Sequence, residues 1–119
     1  MTPILFNTRD ELIKVDLDKI IYAKAEDNYV HLFFRNGQSV IVGMTLQSLE
    51  QLIKSIIAKD KTGVYTRIGR QYIVNNSYIM QINILKQQLI LSDMDVLKPI
   101  ILKVSKEALK LLKQTMTEK

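Results

Sequence analysis

Apolar residues along this chain fall mostly into short runs separated by polar breaks, a pattern of strands rather than of long helices. Ile4 to Phe6 and Leu12 to Val15 flank Asn7-Thr8-Arg9-Asp10-Glu11, which reads as a hairpin. Ile20 to Ala25 and Tyr29 to Phe34 bracket Glu26-Asp27-Asn28. The strongest local signal is Arg35-Asn36-Gly37-Gln38, because Asn-Gly accepts the positive φ angles of a type I′ turn, here joining Tyr29 to Phe34 with Ser39 to Val42. Further strands are expected at Val64 to Ile68, Tyr72 to Val74, Tyr78 to Ile82, Gln88 to Leu91 and Val96 to Val104. Pro99 marks an edge position or a bulge in the last of these.

Two stretches carry a helical period instead. Leu46, Leu49, Leu52, Ile53, Ile56 and Ile57 recur at helical spacing behind a Thr45 cap, and the breaker region Lys59-Asp60-Lys61-Thr62-Gly63 ends that helix. Ser105 can cap a C-terminal helix with the apolar stripe Ala108, Leu109, Leu112 and Met116. Both stripes read as core contacts. With connections this short the strands are mostly antiparallel, so the expected fold is mainly β, with one internal helix and one C-terminal helix.

At 119 residues the chain is expected to form one domain, residues 1–119, able to close a core unaided. Its 47% hydrophobic and 24% charged residues place it in the globular range. The absence of cysteine removes disulfides, a thiolate nucleophile and cysteine-ligated zinc. Met1-Thr2-Pro3-Ile4-Leu5-Phe6 has no basic n-region and meets Asn7-Thr8-Arg9-Asp10 at once, so neither a signal peptide nor a membrane span is read and the cytoplasm is the expected location. The net charge of +5 is unevenly spread: through Ala58 there are six basic and seven acidic residues, and from Lys59 onward eleven basic against five acidic. A polyanion is therefore expected to meet a surface built mainly from the second half, unless that half is simply a solvated lysine-rich surface.

Enzyme chemistry finds little support. His31 is the lone histidine, and the nearest carboxylates in sequence, Glu26 and Asp27, lie beyond a turn from it. No HExxH, CxxC, GxGxxG or GxxxxGK pattern is present, and Asp93-x-Asp95 reads as a polar turn rather than a calcium loop. No cofactor or metal is expected.

Recognition remains, and the residues for it lie in two stretches. Ala25-Glu26-Asp27-Asn28-Tyr29-Val30-His31 and Val64-Tyr65-Thr66-Arg67-Ile68-Gly69-Arg70-Gln71-Tyr72-Ile73-Val74-Asn75 each set polar side chains in a break beside an apolar strand. In the second, arginines flank a glycine, so the chain can turn there and aim cations off a rigid sheet. These pieces, joined in order by Met44-Thr45-Leu46-Gln47-Ser48-Leu49-Glu50, Ile79-Met80-Gln81-Ile82, Leu89-Ile90-Leu91-Ser92-Asp93 and Leu102-Lys103-Val104-Ser105-Lys106-Glu107-Ala108-Leu109-Lys110, resemble the LytTR DNA-binding domain of bacterial transcription regulators from about Leu12 to Leu112. The resemblance implies an elongated stack of small, mostly antiparallel β-sheets that binds double-stranded DNA through loops at one edge, in successive major grooves, commonly at promoter direct repeats. It also implies a response-regulator or two-component setting, although a receiver domain is not visible in this sequence. The start at Met1 and a natural-looking C-terminal tail favour a stand-alone protein, with a homodimer on repeated sites plausible and any sensor-kinase partner unknown.

The expected DNA-binding residues are Asn28, Tyr29, Arg67, Arg70, Gln71, Ser105, Lys106 and Lys110. Arg70 can pair bidentately with guanine O6 and N7, or cover a sheet edge as an ordinary surface arginine. Lys106 is unfavourable to the dipole of the helix it opens, and a phosphate or base would supply the reason for it. Asn28 can serve a turn and Tyr29 can pack, instead of touching phosphate or base edges. Ser105 is both a cap and a phosphate neighbour, and Lys110 extends the contact or faces solvent. Arg67 would lie on the opposite face from Arg70 unless Gly69 breaks the strand. Many members of the resembled family carry histidine where this chain has Gly69, serine where it has Gln71 and arginine where it has Lys106, so the operator cannot be carried over. The rival expectation is a protein-interaction module or anti-regulator that keeps the fold and has lost DNA specificity. RNA binding stands behind it, because only 7% of the residues are aromatic and most of those sit on apolar strands.

Overall fold

The computed structural model describes residues 2–60, 65–93 and 98–118, the side chains of residues 58–60 excepted. The short apolar runs become strands of three antiparallel sheets. A two-stranded ribbon pairs β1 (Pro3–Asn7) with β2 (Leu12–Asp16). The central sheet holds β3 (Ile20–Glu26), β4 (Tyr29–Phe34), β5 (Ser39–Val42), β6 (Tyr65–Ile68) and β7 (Tyr72–Asn75) in the order β5-β4-β3-β7-β6. A three-stranded sheet follows, with β9 (Gln88–Leu91) between β8 (Ile79–Asn83) and β10 (Ile100–Lys103). The helices are α1 (Leu46–Asp60) and α2 (Lys106–Thr117).

Alternation along the central strands sends apolar residues to both faces, so the sheet is buried on two sides. Ala23, Val30, Leu32, Val42 and Ile73 pack with Ile4 and Phe6 of the ribbon and Leu46, Leu49 and Ile53 of α1. Tyr22, Ile68, Tyr72 and Val74 pack with Leu89, Leu91 and Leu102 of the three-stranded sheet and Leu109 and Leu112 of α2. A bulge in β3 between Ile20 and Tyr22 lets Ile20 join the first core while its neighbours Ile21 and Tyr22 both join the second. The layers stack into a body of 44 × 30 × 28 Å.

Two 3₁₀ turns, Leu17–Lys19 and Asn76–Tyr78, join the ribbon to β3 and β7 to β8. Each is capped by the residue before it: the Asp16 and Asn75 side chains accept from the backbone N–H two residues on, at 3.0 Å in both cases. Asn75 is buried, and its Nδ2 also donates to the Ile20 carbonyl at 3.2 Å and to the Tyr65 hydroxyl at 3.3 Å. Tyr65 Oη donates in turn to the Leu17 carbonyl. One buried network thus fixes both corners against β6.

Both expected helix caps are present. Thr45 Oγ1 accepts from the Ser48 N–H at 3.1 Å, and Ser105 Oγ from the Ala108 N–H at 3.2 Å. Other expectations need correction. Asn36 does not have a positive φ; only Gly37 does, at +88°, so the β4–β5 turn is not type I′. The Asn36 side chain accepts from the Gln38 N–H at 2.9 Å, and that Asx turn holds the preceding residue in ordinary backbone space. The last strand is shorter than expected, because Lys98 and Pro99 lie before it; proline has no N–H to give the ladder. Met116 is 42% exposed, so the α2 stripe ends effectively at Leu112. Residues 61–64 and 94–97, which include most of the expected breaker, Val64, Asp95 and Val96, lie outside the described residues.

Candidate nucleic-acid interface

The β3–β4 and β6–β7 turns lie side by side at one end of the central sheet. Strand register sets this: Glu26 pairs with Tyr29, Lys24 with Tyr72, and the Ala25 N–H donates to the Gln71 carbonyl at 2.8 Å. In the first turn Asp27 takes φ +53°, a left-handed position that aspartate tolerates better than most side chains, and it leaves Asn28 exposed at the tip. Tyr29 follows, 54% exposed, with its ring over Gly43. In the second turn Gly69 takes φ +58° between the paired residues Ile68 and Tyr72, and Arg70 and Gln71 stand exposed beyond it. Among the described residues Arg70 has no ion pair and no side-chain hydrogen bond, so its guanidinium keeps its full donor set for a ligand.

Arg67 behaves differently from its neighbour. Its Nη1 meets Glu50 Oε1 of α1 at 3.0 Å, and its Nε donates to the Gly69 carbonyl at 3.0 Å. Gly69 does break the strand, yet Arg67 turns toward α1 and braces the turn that presents Arg70. Glu50 also holds Lys54, at 3.4 Å.

The third break lies where β10 gives way to α2. Lys103 pairs with Gln88, and the Val104 N–H donates to the Gln87 carbonyl at 3.0 Å, which fixes the start of α2 beside the β8–β9 turn. Val104 and Leu109 share a core with Ile68 and Tyr72, so the residues flanking Ser105-Lys106 pack with those flanking Gly69-Arg70-Gln71. Ser105 spends its hydroxyl on the cap, whereas Lys106 and Lys110 are exposed, one helical turn apart.

Sequence reasoning missed two parts of this edge. Glu26 and His31 were separated by a turn, yet pairing across the hairpin makes them diagonal neighbours, with Glu26 Oε1 3.5 Å from His31 Nδ1 and the imidazole 4.2 Å from the Phe33 ring. Counting outward from the turn would have found the pair. Glu50, the acceptor that occupies Arg67, gave no sequence signal because it lies on a different element. Burial raises the Tyr22 phenol above its ordinary value of 10.0, with Tyr72 and Glu26 adding to the shift. A separate cleft of 690 Å³, lined by Val15, Lys19, Phe34, Arg35, Val40 and Tyr78, opens at the opposite end of the sheet. Among the described residues no three His, Asp or Glu side chains gather as metal ligands, and no helix is long and apolar enough to cross a membrane.

Arg70 on its turn, with Lys106 and Lys110 at the start of α2, gives this β-domain a basic edge of the kind suited to a polyanion. Residues 10–117 match the LytTr DNA-binding domain, and the chain belongs to that family. The structure is similar to that of the LytTr DNA-binding domain of a putative methyl-accepting/DNA response regulator from Bacillus cereus, with a TM-score of 0.66 and 23% identity over 99% of each chain. Among curated proteins no match is found. At the level of the family, then, the domain is DNA-binding, and DNA is its partner.

Proposed function

We propose that this protein is a sequence-specific transcription regulator that binds double-stranded DNA, with its loop edge reading successive major grooves. The observation that carries this is Arg70: an exposed guanidinium, free of internal partners among the described residues, on a turn braced by Arg67 and Glu50 and bonded to the neighbouring turn through Ala25 and Gln71. A fixed presentation lowers the ordering cost of contact, and an arginine fork matches guanine O6 and N7. Asn28, Tyr29 and Gln71 supply adjustable hydrogen bonds beside it. Lys106 and Lys110 take phosphates at the start of α2, where free backbone N–H groups also favour an anion. Arg67 acts by positioning.

The family, and the similarity to the domain of a putative response regulator, support a role at promoters in the bacterial cytoplasm, on direct repeats that could hold two copies. Selection from random duplexes followed by binding assays tests the reading. Arg70→Ala is expected to lower affinity for the selected site roughly 5- to 150-fold, the loss of one bidentate base contact, with little effect on random duplex. Lys110→Ala should weaken both alike and flatten the salt dependence. Equal binding of every duplex sequence would overturn the reading in favour of a protein-interaction role.

A further inference from the structure

We infer that the duplex does not end at the three loops but continues along α2, where Lys106, Lys110 and Lys113 with Lys86 of the β8–β9 turn form a phosphate track. This rests on the DNA-binding reading and adds Lys86 and Lys113 to the surface that DNA covers.

Lys106, Lys110 and Lys113 stand at i, i+4 and i+7, so they form one stripe along the helix. That stripe is about 10 Å long at 1.5 Å per residue, the axial length over which one DNA strand presents about three phosphates. All three lysines are exposed, and so is Lys86. Among the described residues none of the four makes an ion pair: Glu107, the one carboxylate within α2, pairs with none of them, and Glu118 beyond its end accepts from Gln114 Nε2 at 2.9 Å. Lysines at i, i+4 and i+7 along one helix repel, with only Glu107 among them, and an external polyanion relieves that repulsion.

The surface between them is shaped. Ile84 of the β8–β9 turn and Lys110, Lys113, Gln114 and Thr117 of α2 line a shallow groove of 340 Å³. The turn is fixed to the base of the helix by the Val104 to Gln87 hydrogen bond, and internally by the Lys86 N–H, which donates to Asn83 Oδ1 at 3.0 Å. The two walls of the groove are therefore held at a set separation, and its cations run without interruption from Lys106, beside the Ser105 cap. Continuity with the loop edge favours a DNA backbone over an anionic membrane, although Leu85 and Leu111 are exposed nearby.

The test compares wild type with Lys86→Ala/Lys113→Ala on the selected duplex and on random duplex across a salt titration, with Arg9→Ala/Lys14→Ala on the distant two-stranded ribbon and its turn as the control. Each lysine removed from a phosphate lowers the slope of log affinity against log salt by about 0.9, so the double variant should lose about 1.8 while the ratio of specific to random affinity stays constant. The control should keep the wild-type slope. An unchanged slope in the double variant, with wild type binding normally, overturns this inference and leaves the proposed function standing. Failure of wild type to bind any duplex overturns both. If the double variant keeps its DNA slope but loses binding to vesicles of anionic lipid, the stripe is a membrane surface and the inference falls.

Discussion

Gly69 and Arg70 divide the work of the β6–β7 turn. A Cβ on Gly69 would meet open space, so glycine is required there by the backbone, at φ +58°, and not by crowding. Gly69→Ala is expected to cost about 1 kcal/mol in urea denaturation and also to weaken DNA binding, although it removes no contacting group, because Arg70 would then be presented from a strained turn. Unchanged affinity would show that the turn orders only on DNA. Tyr65 shows the structural side of the same stretch. Burial, with Asp18, Tyr78 and Asp16 adding to it, pushes its phenol well above the ordinary 10.0. The native state therefore holds this proton more tightly than the unfolded chain, and the stabilisation is complete below pH 10 and lost as pH rises beyond it. Tyr65→Phe should cost about 1 kcal/mol at neutral pH and reduce the alkaline fall in stability, measured as the denaturation midpoint between pH 8 and 11.

At the scale of elements, the start of α2 combines a structural cap with a binding surface. Ser105→Ala should cost about 1 kcal/mol by removing the bond to the Ala108 N–H, whereas Ser105→Asp keeps a good cap and restores stability. The two should part in DNA binding, because aspartate puts a negative charge beside Lys106 and lowers affinity despite the restored fold. Recovery of both properties together would mean that Ser105 lies away from the duplex. These caps were legible because Thr45 and Ser105 act on residues three ahead in the chain, and most strands were legible through apolar runs bounded by turn residues. The 3₁₀ corners were not, since Asp16 and Asn75 cap single short turns without a periodic pattern around them. Nor was the occupation of Arg67 by Glu50, a contact between α1 and β6 that depends on tertiary packing.

At the scale of the molecule, sequence patterning showed which residues are apolar but not that the central sheet has two cores. The bulge in β3 sorts consecutive residues between them, and an irregularity of one residue leaves no mark in the hydrophobic pattern. That sorting has a thermodynamic consequence. Ile20 and Ala23 belong to the ribbon-and-α1 core, Ile21 and Tyr22 to the core beneath α2, so neither core can open without disturbing the strand that both share. Leu49→Ala in the first core and Leu89→Ala in the second are each expected to cost about 2–5 kcal/mol, as truncation of a fully buried leucine does. Both variants should still unfold in one transition, with circular dichroism and tyrosine fluorescence giving coincident midpoints. The same coupling carries the α2 stripe and the loop edge on one rigid support, so Leu89→Ala, which removes no proposed contact, should weaken DNA binding only where the whole domain begins to melt. Two separate transitions, or a loss of binding at temperatures where the variant remains fully folded, would mean instead that the cores move independently and that the loop edge is assembled by the DNA.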